Sequence, residues 1–163
     1  MTEPSRYVKP DPFTKHVFNR VVAGFTRVGI SVWGSRILVV RGRTTGQPRS
    51  TPVNLLTHEN ERYLVAPRGH TQWVRNLRVA GEGDLLVGRR REHFAATELA
   101  DDDKVAVLRA YLKRWKAEVG IFFGGVGAKS TDDELRAIAP NHPVFHVTSS
   151  PRASDASPNV SSE

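Results

Sequence analysis

Six short runs of β-branched and apolar residues, most of them joined in pairs by tight polar turns, constrain the fold of this chain more than any other feature. The first run, residues 37–40, is continuously apolar, as expected of a strand covered on both faces. Gly46 and Pro48 then mark a tight turn, and the polar segments 58–60 and 89–91 join two further pairs of runs. The six predicted strands are residues 37–40, 51–57, 62–66, 84–88, 92–98 and 144–148. Strands this short and closely spaced favour a barrel or sandwich over a parallel sheet.

Helical segments precede and interrupt these strands. Residues 13–30 place apolar side chains on one half of a helical projection and basic side chains on the other. Thr71 is the expected N-cap of a short helix that Gly81 ends. Residues 105–119 repeat apolar side chains every three or four positions, and Thr131 begins a capping-box sequence. The chain is therefore predicted to be α+β, an antiparallel barrel of about six or seven strands with an N-terminal amphipathic helix and flanking helices.

The chain length of 163 residues is that of one ordinary domain. We predict a single domain over residues 13–150 between disordered tails, 1–12 and 151–163, which have little apolar surface to bury. The absence of cysteine and of an apolar run in the first ten residues favours a cytoplasmic location. With 39% apolar residues the chain can fill one core, and it is expected to be a monomer or a homodimer. The basic face of residues 13–30 also allows a peripheral contact with an anionic membrane surface.

The positive charge of the chain indicates an anionic partner. The formal net charge is +7, and arginine supplies most of the excess. Arg43 and Arg49 flank the first turn, where Gly46 lets the backbone approach a ligand, so two guanidinium groups could converge on one phosphate. Arg68 follows the third strand and adds another positive charge. Because the segment 43–49 contains no aromatic residue, a nucleic-acid-binding surface is not expected.

Three sequence blocks in a fixed order carry a family resemblance. The first is Gly42-Arg43-Thr44-Thr45-Gly46-Gln47-Pro48-Arg49 followed by Thr51-Pro52, the second is Leu64-Val65-Ala66-Pro67-Arg68-Gly69, and the third is Trp73-Val74-Arg75-Asn76-Leu77. Together they resemble the deazaflavin-dependent nitroreductases, whose pattern is a Gly-Arg-Lys-Ser-Gly-x-x-Arg hairpin, a strand ending near Ser-Lys-Gly and a Trp-x-x-Asn-Leu helix. The resemblance extends from about Ile37 to Val147.

This resemblance implies a split β-barrel that binds coenzyme F420, a deazaflavin whose side chain carries a phosphate and glutamates. It implies arginine ligands for the phosphate or carboxylates, threonine hydroxyl donors, and a tryptophan packed near the ring. The implied cofactor-binding residues are Arg43, Thr44, Thr45, Gly46, Arg49, Pro67, Arg68, Gly69, Trp73 and Asn76. Thr44 departs from the family pattern, which has a basic residue there, and Arg68 is a candidate to compensate. The alternative cofactor is FMN, which similar barrels bind through a basic phosphate site.

The chemistry that the resemblance implies is hydride transfer from the reduced ring to a nitro compound, a quinone or an activated alkene. The cofactor performs the difficult step, and the protein holds donor and acceptor together away from water. Related enzymes have tyrosines near the substrate pocket before the final strand. Here Tyr111 is the candidate proton donor, and the other aromatic residues of the region are Trp115, Phe122 and Phe123. Four glycines between residues 120 and 127 allow a mobile lid, although a plain loop is the commoner explanation.

Other readings of the sequence stay open or are set aside. A non-catalytic protein that sequesters the cofactor would share every feature described so far. The segment 127–130 is not a phosphate-binding loop, because Ala128 separates its glycine from its lysine. His142 and His146 flank a strand and lie about 13 Å apart at strand rise, so no metal site is expected.

Overall fold

The computed structural model describes residues 35–87 and 89–151 of the chain. The amphipathic segment 13–30, the predicted tail 1–12 and all but the first residue of the predicted tail 151–163 lie outside the described residues. The described part contains six strands and three α-helices. The strands are β1 (Ser35–Arg41), β2 (Pro48–His58), β3 (Glu61–Val65), β4 (Glu82–Val87), β5 (Arg90–Glu98) and β6 (Val144–Ser149). The helices are α1 (Gln72–Ala80), α2 (Val105–Val119) and α3 (Asp132–Ile138).

The six strands close into an antiparallel barrel in the order β1-β2-β3-β6-β5-β4, with β4 pairing back onto β1. Hairpins join β1 to β2, β2 to β3 and β4 to β5, and β6 closes the gap between β3 and β5. Each strand predicted from the sequence is present, with ends that differ by a few residues. The predicted α+β barrel is therefore confirmed, with six strands among the described residues.

The first hairpin turns where the sequence placed its glycine and proline. The Gly42 N–H donates to the Gln47 carbonyl at 2.8 Å, and the Gly46 N–H donates to the Gly42 carbonyl at 2.9 Å. Gly46 adopts φ +71°, a left-handed conformation that a side chain would strain. This turn presents the residues from Arg43 to Arg49 at the rim of the barrel.

The helices pack on the barrel through two apolar clusters. One cluster lies inside the barrel and under α1, and it includes Leu38, Leu64, Leu77 and Phe94. The other lies between α2, α3 and one wall of the barrel, and it centres on Tyr111 with its neighbours on α2. Because α1 and α2 cover different parts of the wall, the space between them is left for a cavity.

The predicted helix starts are confirmed in position. α1 begins after Thr71 and ends at Gly81 in the left-handed conformation. The Thr131 hydroxyl accepts from the Glu134 N–H at 3.2 Å, and the Glu134 carboxylate accepts from the Thr131 N–H at 2.8 Å, which completes the predicted capping box. The Thr71 side chain, in contrast, makes no capping hydrogen bond. Within the described part of the chain, no helix is both long and apolar enough to cross a membrane.

Candidate functional site

A cavity of about 660 Å³ opens between the β1–β2 hairpin, the segment after β3, the start of α1 and one face of α2. Its volume is in the range of small-molecule sites in proteins. The wall is apolar over most of its area, with arginine, hydroxyl and amide groups placed on it. The lining residues are Val40, Gly42, Arg43, Thr44, Thr45, Arg49, Ser50, Thr51, Pro52, Val53, Asn54, Val65, Ala66, Pro67, Arg68, Thr71, Gln72, Trp73, Asn76, Tyr111, Val119 and Phe122.

Arg43 is held in the wall of the cavity by α1. The Arg43 Nη1 donates to Asn76 Oδ1 at 2.8 Å, and the Arg43 backbone N–H donates to the same oxygen at 3.2 Å. Asn76 is buried on α1, so one amide oxygen attaches the hairpin to the helix. Because the partner is a neutral amide, the charge of Arg43 is oriented and not neutralised.

The segment after β3 brings a second positive charge to the cavity. The Arg68 guanidinium lies over the Phe122 ring, 5.0 Å from its centroid, and both side chains line the wall. Such a contact orients the guanidinium without neutralising its charge. Pro67 lies in the same wall.

The charged side chains among the described lining residues of the cavity are all positive. Arg43, Arg49 and Arg68 line it, and no aspartate or glutamate is among its described lining residues. None of the ion pairs between described residues involves these three arginines. An anionic ligand therefore meets three positive charges here that no described carboxylate neutralises.

The aromatic residues around the cavity divide into wall and core. Trp73 lines the cavity and packs against Phe145, with ring centroids 5.9 Å apart. The Tyr111 ring is 1% exposed and lines the inner wall. Trp115 and Phe123, which the sequence grouped with Tyr111, are buried against it in the α2 cluster and do not line this cavity.

A smaller cavity adjoins the first one beyond the contact between Arg68 and Phe122. His142 lines it, stacked on Phe123 with ring centroids 4.2 Å apart. Burial lowers the pKa of His142, and the backbone carbonyl groups of Ala66 and Pro67 oppose that shift in part. The imidazole is therefore neutral near pH 7.

The structure brings nine of the eleven residues proposed from the sequence into one wall: Arg43, Thr44, Thr45, Arg49, Pro67, Arg68, Trp73, Asn76 and Tyr111. It does not bring Gly46 or Gly69 into that wall. Gly46 lies at the outer tip of the turn, where an added Cβ would meet no atom of the described residues within 4 Å. An added Cβ on Gly69, which has φ +86°, would lie 3.0 Å from the Asn141 carbonyl oxygen. Both glycines therefore shape the backbone that carries the site.

The sequence analysis missed several polar residues of the cavity, and Asn54 and Thr71 are the two with buried oxygens that lack a described partner. Asn54 is 4% exposed, and its Oδ1 is buried without a hydrogen-bond partner among the described residues. The Thr71 Oγ1 is also buried without a hydrogen-bond partner among the described residues. The sequence could have indicated Asn54, because this polar residue interrupts the apolar run from Val53 to Leu56 in the middle of a predicted strand.

Comparisons with solved structures agree with this architecture. An F420-H2 dependent reductase (FDR-A) is similar with a TM-score of 0.50 and 16% sequence identity, over 71% of this chain and 95% of that chain. A domain-swapped dimer is similar with a TM-score of 0.51 and 14% identity, over 86% of this chain and 100% of that chain. At these identities the likeness shows the fold alone, an α+β split barrel.

Sequence comparison adds the family. No curated protein matches the chain. The model of the F420H(2)-dependent quinone reductase family matches residues 15–121, which is more than half of the 163 residues. That span contains all three sequence blocks, the hairpin arginines and Tyr111. The chain therefore belongs to the F420H(2)-dependent quinone reductase family, and it is an oxidoreductase that uses coenzyme F420.

Proposed function

We propose that this enzyme reduces a quinone with F420H2, with both molecules bound in the cavity between the β1–β2 hairpin and α2. The observation that carries the proposal is the charge pattern of the cavity. Its hairpin rim has Arg43 and Arg49 with no carboxylate among the described lining residues, and its interior is mostly apolar. A coenzyme with an anionic side chain and a flat ring suits such a pair of surfaces.

The residues of the cavity fit the coenzyme by their own chemistry. Two buried oxygens, Asn54 Oδ1 and Thr71 Oγ1, have no hydrogen-bond partner among the described residues. A buried polar atom without a partner costs about 1–3 kcal/mol, so natural proteins keep such atoms where a ligand or water satisfies them. A ligand with polar edges is therefore expected inside, in addition to the anion at the rim.

We assign the hairpin to the phosphate and carboxylates of the coenzyme. Arg43 and Arg49 would donate charge-assisted hydrogen bonds, and the hydroxyl groups of Thr44 and Thr45 would add neutral ones. Arg68 lines the same cavity. It would supply the positive charge that the family pattern has at position 44, where this chain has a threonine. Because Asn76 holds Arg43 before any ligand binds, part of the ordering entropy is already lost in the free protein.

The start of α1 is assigned to the ring. Thr71, Gln72 and Trp73 line the cavity at the N-terminus of this helix, and the Thr71 side chain does not cap it. The first N–H groups of a helix attract carbonyl and anionic oxygens. Trp73 lies beside them and offers an aromatic surface for packing.

When bound, F420H2 supplies the hydride. The chain's own residues hold the acceptor against the donor ring, exclude water through the apolar wall and provide a proton. A quinone becomes a hydroquinone by taking up one hydride and one proton. The family model is that of quinone reductases, and the apolar lining formed by residues such as Val65, Val119 and Phe122 suits a quinone ring.

The acceptor class is tested by steady-state kinetics with F420H2 and three acceptors: a quinone, a nitroaromatic compound and an activated alkene. We expect the highest kcat/KM for the quinone, with no turnover when reduced FMN replaces F420H2. A nitroaromatic compound or alkene that exceeds the quinone would refute the acceptor assignment. Tight binding of F420 without turnover of any acceptor would indicate a protein that sequesters the coenzyme.

Tyr111 is proposed as the proton donor to the reduced acceptor, because it is the tyrosine among the described lining residues. Proton transfer from a positioned side chain contributes about 10²–10⁴-fold to a rate. Tyr111→Phe keeps the packing of the ring, so we expect kcat to fall at least tenfold while the affinity for F420 is unchanged. Tyr63→Phe is the matched control, since Tyr63 packs on His146 outside the cavity. Equal kcat values for the two variants would exclude Tyr111 as the donor.

A further inference from the structure

Asn54 occupies an unusual position for an unsatisfied amide. It lies in the middle of β2 between Val53 and Leu55, and it is 4% exposed. Side chains alternate along a strand, so Asn54 shares its face with Pro52 and Leu56. Leu56 belongs to the α2 cluster and Pro52 lines the cavity, so the amide sits where the apolar core meets the cavity wall. No described residue donates a hydrogen bond to its Oδ1.

The missing partner of this oxygen must be a donor, since a carboxamide oxygen only accepts hydrogen bonds. Quinones and nitro compounds have oxygen acceptors and no N–H or O–H group, so neither can satisfy Asn54 Oδ1. The deazaflavin ring has an imide edge in which one N–H lies between two carbonyl groups. A carboxamide, with one acceptor and one donor arm, is complementary to one side of that edge. A hydroxyl group such as that of Thr71 can donate to a carbonyl.

The distance along β2 agrees with separate binding sites for the anionic chain of the coenzyme and for its ring. Asn54 lies five residues beyond Arg49, about 17 Å at strand rise, and both residues line the cavity although this odd spacing places their side chains on opposite faces of β2. The two residues therefore contact different parts of one elongated molecule, the anionic chain at the rim and the ring inside.

We propose that Asn54 binds the imide edge of the deazaflavin, accepting from its ring N–H, and that the Thr71 hydroxyl donates to the adjacent carbonyl. This inference rests on the proposed placement of the coenzyme and adds the residues that hold its ring. Asn54 thereby orients the ring in the cavity, and its cost to the free protein is recovered when the coenzyme binds.

The experiment uses the full chain and fluorescence titration with three ligands. These are F420, the ring–ribityl fragment that lacks the phosphate and carboxylates, and that fragment methylated on the imide nitrogen. For the wild type, we expect methylation to weaken binding of the fragment about tenfold, as loss of one hydrogen bond in a buried site does. For Asn54→Leu, we expect F420 and the fragment to bind about tenfold more weakly, with no further effect of methylation.

A second measurement separates a binding role from a folding role. Replacement of an unsatisfied buried amide by a leucine of similar size removes a desolvation cost, so the Tm of the ligand-free Asn54→Leu variant should equal or exceed that of the wild type. Thr57→Val is the matched control, because Thr57 lies exposed on the same strand outside the cavity wall. It should leave all three affinities unchanged.

The outcomes also distinguish this inference from the proposed function. Arg49→Ala should weaken the binding of F420 and leave the binding of the fragment unchanged, whereas Asn54→Leu should weaken the binding of both. If the wild type binds the methylated fragment as tightly as the parent, or if the methylation effect persists in Asn54→Leu, Asn54 does not accept from the imide. If the wild type binds F420 but neither variant differs from it, both assignments are wrong. If it binds neither F420 nor the fragment, the proposed function itself fails.

Discussion

The arginines that pair with carboxylates and the arginines of the cavity differ in what surrounds them. On the β3–β5–β6 face, which is the surface around Arg62, Glu92 and Ser149, Arg62 donates to both carboxylate oxygens of Glu92 at 2.9 and 2.6 Å. Arg78 on α1 does the same to Glu98 on β5 at 2.7 and 2.6 Å. In the cavity, Arg43 donates to a neutral amide and Arg68 lies over an aromatic ring. The same residue type is neutralised in one region and only oriented in the other.

This difference teaches how to interpret a basic composition. A guanidinium that already has a bidentate carboxylate has little capacity left for a ligand, so the paired arginines join strands and helices. A guanidinium held by an amide or an aromatic ring keeps its charge for an incoming anion. The location of the unneutralised arginines, more than the net charge of +7, is therefore the basis on which we propose where the chain binds its coenzyme.

The largest effect is expected from Arg49→Ala, because Arg49 lines the cavity without an ion pair to any described residue. Hydrogen bonds to charged groups contribute about 1.5–3 kcal/mol each, so F420 should bind roughly ten- to a hundredfold more weakly. Fluorescence titration at low salt measures the change. The wild-type affinity should fall as salt is added, and the fall should be shallower in the variant.

Arg62→Ala is the matched control for this prediction. It removes an arginine of equal charge from the β3–β5–β6 face, where it bridges β3 and β5 through Glu92. It should lower stability and leave the affinity for F420 unchanged. If Arg62→Ala weakens the binding of F420 as much as Arg49→Ala does, the net charge of the protein determines the affinity. The contrast between the two groups of arginines then has no functional meaning.

A smaller effect is expected from the contact between Asn76 and Arg43. Asn76→Ala should weaken F420 about three- to tenfold by freeing Arg43, since an ordered donor loses less entropy on binding. Arg43→Ala alone should resemble Arg49→Ala. In the double variant the Asn76 substitution should add almost nothing, because the residue it positions is already absent. Additive losses in this cycle would mean that Asn76 contacts the coenzyme independently of Arg43.

Much of the fold could be predicted because its determinants are local. The β1–β2 turn needs Gly46 at positive φ, α1 ends at Gly81, and Thr131 forms its capping box within four residues. Each signal lies in a few consecutive residues, and the short apolar and β-branched runs between them are typical of strands. The hairpin residues of the site were predictable for the same reason, since Arg43 to Arg49 form one continuous turn.

The remainder of the site depends on contacts between distant residues. Arg43 and Asn76 are 33 residues apart, and no local pattern indicates that they touch. The sequence grouped Trp115 and Phe123 with Tyr111, but helix packing turns both into the core. Thr71 has the right position for a cap, yet its hydroxyl has no hydrogen-bond partner in the part of the chain that the structure describes. Whether a polar group finds a partner is decided by all of its neighbours together, so only the folded structure reveals it.

The smallest effect is expected when the pH is lowered, because acid weakens the ion pair between Glu92 and Arg62 on the β3–β5–β6 face. Hydrogen bonds from Arg62 and Ser149 lower the pKa of Glu92 to about 2, below its ordinary value of 4.5. Because the folded pKa is depressed, the carboxylate stabilises the protein above pH 4.5, and that contribution is lost as the pH falls toward 2. The Glu92 side chain is 41% exposed, so solvent limits the contribution to about 1 kcal/mol or less.

Urea unfolding of the wild type and of Glu92→Gln across this pH range measures that contribution. The wild type should be slightly more stable at pH 7, and the difference between the two proteins should shrink as the pH approaches 2. At pH 7 the variant should bind F420 like the wild type, because Glu92 lies outside the cavity wall. A loss of F420 affinity in Glu92→Gln would mean that the paired arginines are coupled to the cavity. The two regions would then act as one charge network, and the division between structural and ligand-binding arginines would not hold.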